Sequence, residues 1–79
     1  MKIVHVKWVY AASLGGWRTK KEVKAFVKGN LSPVDTVGML IHEDKEKVAL
    51  IQTNGKNQVI GLFEIPRGCI KSMKTIGKV

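Results

Sequence analysis

The residues of this chain that are best suited to chemistry are cations grouped in one short segment. Five of the 14 basic residues fall within eleven consecutive positions, directly after an aromatic residue. The segment comprises Trp17, Arg18, Lys20, Lys21, Lys24 and Lys28. Cationic side chains neutralise phosphates, and an exposed indole ring can stack on a base. We therefore predict an anion-binding site over residues 17–28. The alternative is a solvated helix face beside a buried Trp17.

The charge balance of the whole chain points to the same class of partner. Its 14 basic and 6 acidic residues give a net charge of +8. Such a balance favours nucleic acid, a nucleotide or an acidic protein face. A second, weaker basic cluster is expected from Arg67, Lys71 and Lys74 near the end of the chain.

No residue pattern indicates catalysis or a bound cofactor. His5, His42 and Cys69 are the only soft metal-ligand candidates, and none has the spacing of a known ligand pair. Ser13 has no identifiable base, and Gly15-Gly16 lacks the Lys-Ser/Thr of a phosphate-binding loop. We therefore predict a protein that is not an enzyme and holds no metal or cofactor.

The length of the chain limits its core. Its 79 residues form one domain, 1–79, and a domain this small buries only about 60–65% of its unfolded surface. One cysteine excludes an internal disulfide, so self-association is the expected source of extra stability. We predict a homo-oligomer. No stretch approaches the roughly 20 apolar residues of a membrane span, so we expect no membrane contact and a cytoplasmic location.

One short helix is predicted over residues 20–28. Thr19 and Glu22 form a capping box at its start, and Gly29 is a ready stop. Its apolar residues share one side, and its lysines lie on another. Because about nine residues do not hold a helix in isolation, we expect this helix to dock on the sheet.

Five strands are predicted around this helix. Alternation places Val4, Val6, Trp8 and Tyr10 on one face of the first strand, residues 2–10. Val37, Met39 and Ile41 give the second strand, 34–42, an apolar face, and Gly38 suggests a bend or bulge there. The remaining strands are expected at 47–53, from 56 or 57 to 65, and 70–76. Charged residues 43–46 and the pair Asn54-Gly55 supply tight turns, so strands two to four form an antiparallel meander.

The segment Leu62-Phe63-Glu64-Ile65-Pro66-Arg67-Gly68-Cys69-Ile70 suggests how the sheet closes. Proline stops a strand, Gly68 permits a turn, and a new strand starts at Ile70. The segment resembles the end of a Src-homology-3-like barrel, which implies a short 3₁₀ turn before the last strand. The fold expected is mainly β: a small five-stranded antiparallel Src-homology-3-like barrel with one helix inserted between strands 1 and 2. An Sm-like barrel is the alternative, although its helix precedes the first strand.

A second resemblance spans most of the chain. It rests on Trp8, Ser13 and Gly16-Trp17, on residues 37–44, and on residues 65–70. This pattern is similar to small bacteriophage and prophage proteins without a characterised function. The resemblance implies a non-enzymatic phage accessory protein acting in the host cytoplasm. The basic segment at 17–28, and not the resemblance, predicts nucleic acid or a nucleotide as its partner. Alternatively, it would inhibit a host protein or sequester a host signalling molecule.

Overall fold

The fold is described by a computed structural model that covers residues 1–11, 15–29 and 31–79. Ser13, which was considered above as a nucleophile, lies outside the described residues. The elements in chain order are β1 Lys2–Trp8, α1 Lys20–Lys28, β2 Val34–Glu43, β3 Lys47–Ile51, β4 Thr53–Asn54, β5 Val59–Ile60, β6 Phe63–Pro66, the 3₁₀ turn η1 Arg67–Cys69, and β7 Ile70–Lys78.

The main sheet is antiparallel and has five strands in the order β6-β3-β2-β1-β7. Strands β2, β3 and β6 form the predicted meander, and β1 lies between β2 and β7. The 3₁₀ turn η1 joins the two edge strands, β6 and β7. Those edges do not pair with each other in the described part of the chain, so the predicted closed barrel is not found.

The core lies on one face of this sheet. Val4 and Val6 of β1 meet Val48 and Leu50 of β3 and Ile65 of β6, and all five are buried. Larger half-buried side chains border this cluster: Trp8, Leu40, Cys69, Ile70 and Met73. The period-two alternation of β1 therefore predicted its buried face as far as Trp8. The strand ends there, and the Tyr10 side chain is largely exposed.

The predicted apolar face of β2 points away from this core. Gly38 pairs with the buried Val4, and Thr36 pairs with the buried Val6, so these β2 residues face the core. Val37 lies opposite His5 on the other face and is half exposed. The core face of β2 therefore carries Thr36, Gly38 and Leu40 instead of the predicted apolar set.

Gly38 does not form the predicted bulge. It keeps regular pairing with Val4, and the irregularity of β2 lies between Leu40 and His42. A Cβ atom at position 38 would lie 3.1 Å from both the Leu50 Cβ atom and the Ile51 carbonyl oxygen. Glycine therefore lets β2 and β3 approach closely at this point.

The third and fourth predicted strands are each divided in two. The break occurs at Gln52 on one side and at Gly61-Leu62 on the other, and the two strands continue as the separate β4–β5 ladder. Gly61 has φ of +79°, and the Gln52 N–H donates to the Ile60 carbonyl across the break. The hairpin is thus one long arm with a kink.

The turn at the tip of this arm differs from the predicted Asn54-Gly55 turn. The Gly55 N–H donates to the Gln58 carbonyl at 2.8 Å, so the turn spans residues 55–58. Neither Asn54 nor Gly55 has the positive φ that the predicted turn requires.

Helix α1 occupies the predicted residues, and Thr19 caps it by accepting a hydrogen bond from the Glu22 N–H at 3.1 Å. The Gly29 N–H donates to the Phe26 carbonyl at the other end. The helix does not dock as expected, because none of its residues is buried. No helix in the described ranges has both the length and the apolar character needed to cross a membrane.

Candidate anion-binding site on helix α1

The basic face of α1 is the candidate site, and the helical repeat sets its geometry. Lys20, Lys24 and Lys28 follow one another at intervals of four residues, so they line one side of the helix. Lys21 lies next to this row, about 100° from Lys20 around the axis. All four side chains are exposed, so the predicted lysines do form a single basic surface.

Arg18 is held in place at the entrance to the helix. Its Nε atom donates to the Gly15 carbonyl at 3.0 Å, and its Nη1 atom lies 3.5 Å from Glu22 Oε2. Gly16, with φ of +77°, makes the local reversal in left-handed backbone conformation. The sequence predicted Arg18 as a ligand group, and the structure adds that part of its guanidinium orders the chain before Thr19.

Trp17 is fully exposed, which answers the open question about its burial. It therefore differs from Trp8, which packs against the core and donates from Nε1 to Thr36 Oγ1 at 3.0 Å. An indole ring without cover is the form that can stack on a base. Trp17 directly precedes Arg18 in the chain, so its aromatic ring stands at the start of the basic segment.

The lysines of α1 have no acidic partners among the described residues. Salt bridges there involve five acidic side chains, and only Glu22 among these lies on the helix, where it meets Arg18. The others lie on or beside the sheet and pair with His5, His42, Lys47 and Arg67. Unpaired lysines also occur elsewhere among the described residues, but four of them lie within the nine residues of α1, and this local density of positive charge favours an anionic ligand there.

The second predicted basic cluster does not form as a unit. Arg67 donates from Nε to the Asp44 carbonyl at 2.8 Å and from Nη2 to Glu43 Oε2 at 3.0 Å. Its own N–H also donates to the Glu46 carbonyl. Arg67 therefore holds η1 against the β2–β3 hairpin, and Lys71 and Lys74 remain as exposed lysines on β7.

The hairpin that receives Arg67 contains a small polar network which the sequence did not reveal. Asp44 Oδ2 lies 2.7 Å from His42 Nε2, and Asp44 Oδ1 accepts from the N–H groups of Glu46 and Lys47. The hydrogen bond with His42, followed by those two backbone bonds, lowers the pKa of Asp44 to about 2. One feature of the sequence is typical of this network: Asp44 lies two and three residues before the Glu46 and Lys47 N–H donors, which is the spacing of an Asx-type turn.

Among the residues that the structure describes, no other arrangement of reactive groups forms a candidate site. In the described ranges, no group of three or more His, Cys, Asp or Glu side chains is placed to hold a metal ion. His5 pairs with Asp35 at 2.7 Å on the outer face of the sheet, and Cys69 is half buried against the core.

Comparison with known proteins supplies no family for this chain. No protein-family model matches it. No curated protein matches it, and no solved structure matches its fold.

Proposed function

We propose that this protein is a non-enzymatic, phage-type accessory protein that binds single-stranded nucleic acid through α1 and Trp17. The ligand phosphates lie along the lysine row, and a base stacks on the Trp17 indole. Positive charge along a groove or ridge together with an aromatic platform is the usual basis of single-strand binding without sequence preference.

One observation carries this proposal: four lysines on an exposed helix lack acidic partners among the described residues and follow an uncovered tryptophan. A solvated helix face alone would explain the lysines. It would not explain why Trp17 is left entirely in water, because exposing a large aromatic ring forgoes its hydrophobic stabilisation.

The strand order supports an Src-homology-3-like barrel as the finer description of the fold. In this proposal, η1 is the short 3₁₀ turn that leads from β6 into the last strand, β7. Helix α1 takes the place of the peptide-binding loop after the first strand. The phage origin rests on the sequence resemblance alone, and a host protein or signalling molecule as the target is the alternative to nucleic acid.

The test is titration of a labelled single-stranded oligonucleotide at several salt concentrations. For single strands, the slope of log K against log salt is about −0.7 per phosphate neutralised. Replacing Lys20, Lys21, Lys24 and Lys28 by Gln should make this slope less negative by about 3 and weaken binding at low salt. Glutamine is used because it keeps helix propensity close to that of lysine.

The matched control replaces four exposed lysines on other elements: Lys45, Lys56, Lys71 and Lys78. It carries the same net charge as the helix variant, so it separates a local site from general attraction. Binding that weakens equally in both variants would refute a site on α1. Absence of binding to the oligonucleotide at low salt would refute the nucleic-acid proposal and leave an acidic protein or a small anion as the ligand class.

A further inference from the structure

The open end of the core forms an apolar groove between β2, β3 and the start of β6. It has a volume of about 260 Å³ and is lined by Val37, Gly38, Leu50, Ile51, Leu62 and Phe63, together with three uncharged polar or glycine residues. With no charged residue in its lining, the groove is suited to apolar side chains of a protein.

Helix α1 carries an apolar face that is only partly covered, with Val23, Phe26 and Val27 exposed by 44%, 43% and 72%. Val23, Phe26 and Val27 follow the i, i+3, i+4 spacing of one helical stripe, and all three are exposed. A nine-residue helix is marginal in water without such packing. This stripe lies to one side of the lysine row, so it can be covered while the lysines remain in solvent.

The area that the chain exposes shows how much cover is missing. A compact protein of 8.8 kDa exposes about 4,800 Å², whereas this chain exposes 6392 Å². The excess, about 1,600 Å² per chain, is about twice the 800 Å² that each partner loses in a standard interface and falls in the range of obligate homodimers. The radius of gyration, 16.5 Å, also exceeds the roughly 12 Å of a compact chain of this length.

We propose that the groove receives the apolar stripe of α1 from a second copy of this chain. In a two-fold dimer the contact occurs twice, because each copy supplies one helix and one groove. Both unpartnered surfaces are then buried by one interaction, and the missing area matches the size of a homodimer interface. The basic faces of the two helices stay outside, which makes the anion-binding surface bivalent.

The test is a double-mutant cycle on self-association, measured by sedimentation equilibrium over a dilution series. Phe26→Gln removes the central side chain of the stripe, and Leu62→Gln removes an exposed apolar side chain of the groove. Each should raise the dimer Kd by at least about tenfold. The double variant should raise it by clearly less than the product of the single effects, because the two side chains contact each other across the interface.

Ala25→Gln is the matched control, since it changes an exposed helix residue that lies away from the stripe. It should leave the dimer Kd unchanged. Circular dichroism of each variant checks that the sheet remains folded, as expected because both substituted side chains lie outside the buried core.

Salt separates this proposal from nucleic-acid binding. Two copies of net charge +8 repel each other, so added salt should lower the dimer Kd while it weakens oligonucleotide binding. Three results would overturn the proposal. The first is a monomer at all concentrations. The second is a dimer that is insensitive to both substitutions. The third is a double variant whose effect on Kd equals the product of the two single effects.

Discussion

At the scale of single residues, Asp44 and Arg67 connect two turns that are far apart in the sequence. Asp44 organises the β2–β3 hairpin through its side chain, and its carbonyl oxygen accepts a hydrogen bond from Arg67. The conformation of the turn after Pro66 thus depends on contacts more than 20 residues earlier in the chain. This network joins η1 to the β2–β3 hairpin, although none of its side chains is buried.

Protonation of Asp44 should destabilise the protein only in strong acid. Its pKa is lowered from 3.8 to about 2 by the bonds from His42 and from the two backbone N–H groups. A group whose pKa is lower in the folded state stabilises that state fully above the unfolded pKa. We therefore expect this contribution to be complete above pH 3.8 and to disappear as the pH falls through about 2.

Asp44→Asn provides the measurement for this expectation. Both backbone hydrogen bonds end on Asp44 Oδ1, and an amide oxygen in its place can still accept both, but the side chain carries no charge at any pH. The melting temperature of the variant should lie below that of the natural sequence at pH 7, and the two should converge near pH 2. A difference that is the same at pH 7 and pH 2 would show that the charge of Asp44 does not contribute.

At the scale of elements, the kink in the long hairpin determines where the sheet ends. Beyond Gln52 and Gly61 the strands leave the core, so β4 and β5 form an exposed arm. The kink also exposes Leu62 and leaves the groove open beside Leu50. The groove of the proposed dimer, although not its helix stripe, therefore depends on one irregularity in one hairpin.

Gly61→Ala should disturb this kink. A Cβ atom at position 61 would lie 2.9 Å from the Cβ and Cγ atoms of Gln52, and φ is +79°. Non-glycine residues in this region cost about 1–3 kcal/mol. We expect the free energy of unfolding to fall by about that amount, as measured by urea denaturation.

Gly68→Ala is the control for this substitution. Position 68 has no positive φ and no atom within 4 Å of an added Cβ, so the substitution meets no obstacle. It should be neutral or stabilising by up to about 1 kcal/mol, because alanine restricts the unfolded chain. A loss of stability as large as that of Gly61→Ala would show that the positive φ and the close contact at position 61 do not explain the effect there.

These elements also show which features the sequence could reveal. Helix α1 and β1 were predicted well, because capping by Thr19 and the alternation of Val4 and Val6 are local signals. The end of β6 at Pro66 was local too. The division of the hairpin at Gln52 was not predictable, since it depends on the contact with Gly61 nine residues later. The cluster of basic residues at 18–28 could be predicted from the sequence. The exposure of Trp17 could be seen only in the structure.

At the scale of the whole molecule, the chain is elongated, with extents of 54 × 22 × 20 Å. Its small core leaves both helix α1 and the β4–β5 arm exposed. The polar network of Asp44 and Arg67 buries no apolar surface of either element. In the two proposals made above, self-association and anion binding use different faces of the same helix. An oligonucleotide that spans both basic faces would bind a dimer with an advantage in effective concentration.

Amide hydrogen exchange should report this arrangement directly. The amides of β1 lie between two paired strands and should exchange slowly at every protein concentration. Those of α1 should exchange rapidly in dilute solution, because a helix of nine exposed residues is marginal by itself. If the groove of a second copy covers the helix, exchange in α1 should slow as the monomer fraction falls, by about tenfold when nine-tenths of the protein is dimeric. The Phe26→Gln variant should lose this concentration dependence while β1 stays protected. Helix amides that exchange equally fast in monomer and dimer would exclude α1 from the interface, whatever the dimer contact is.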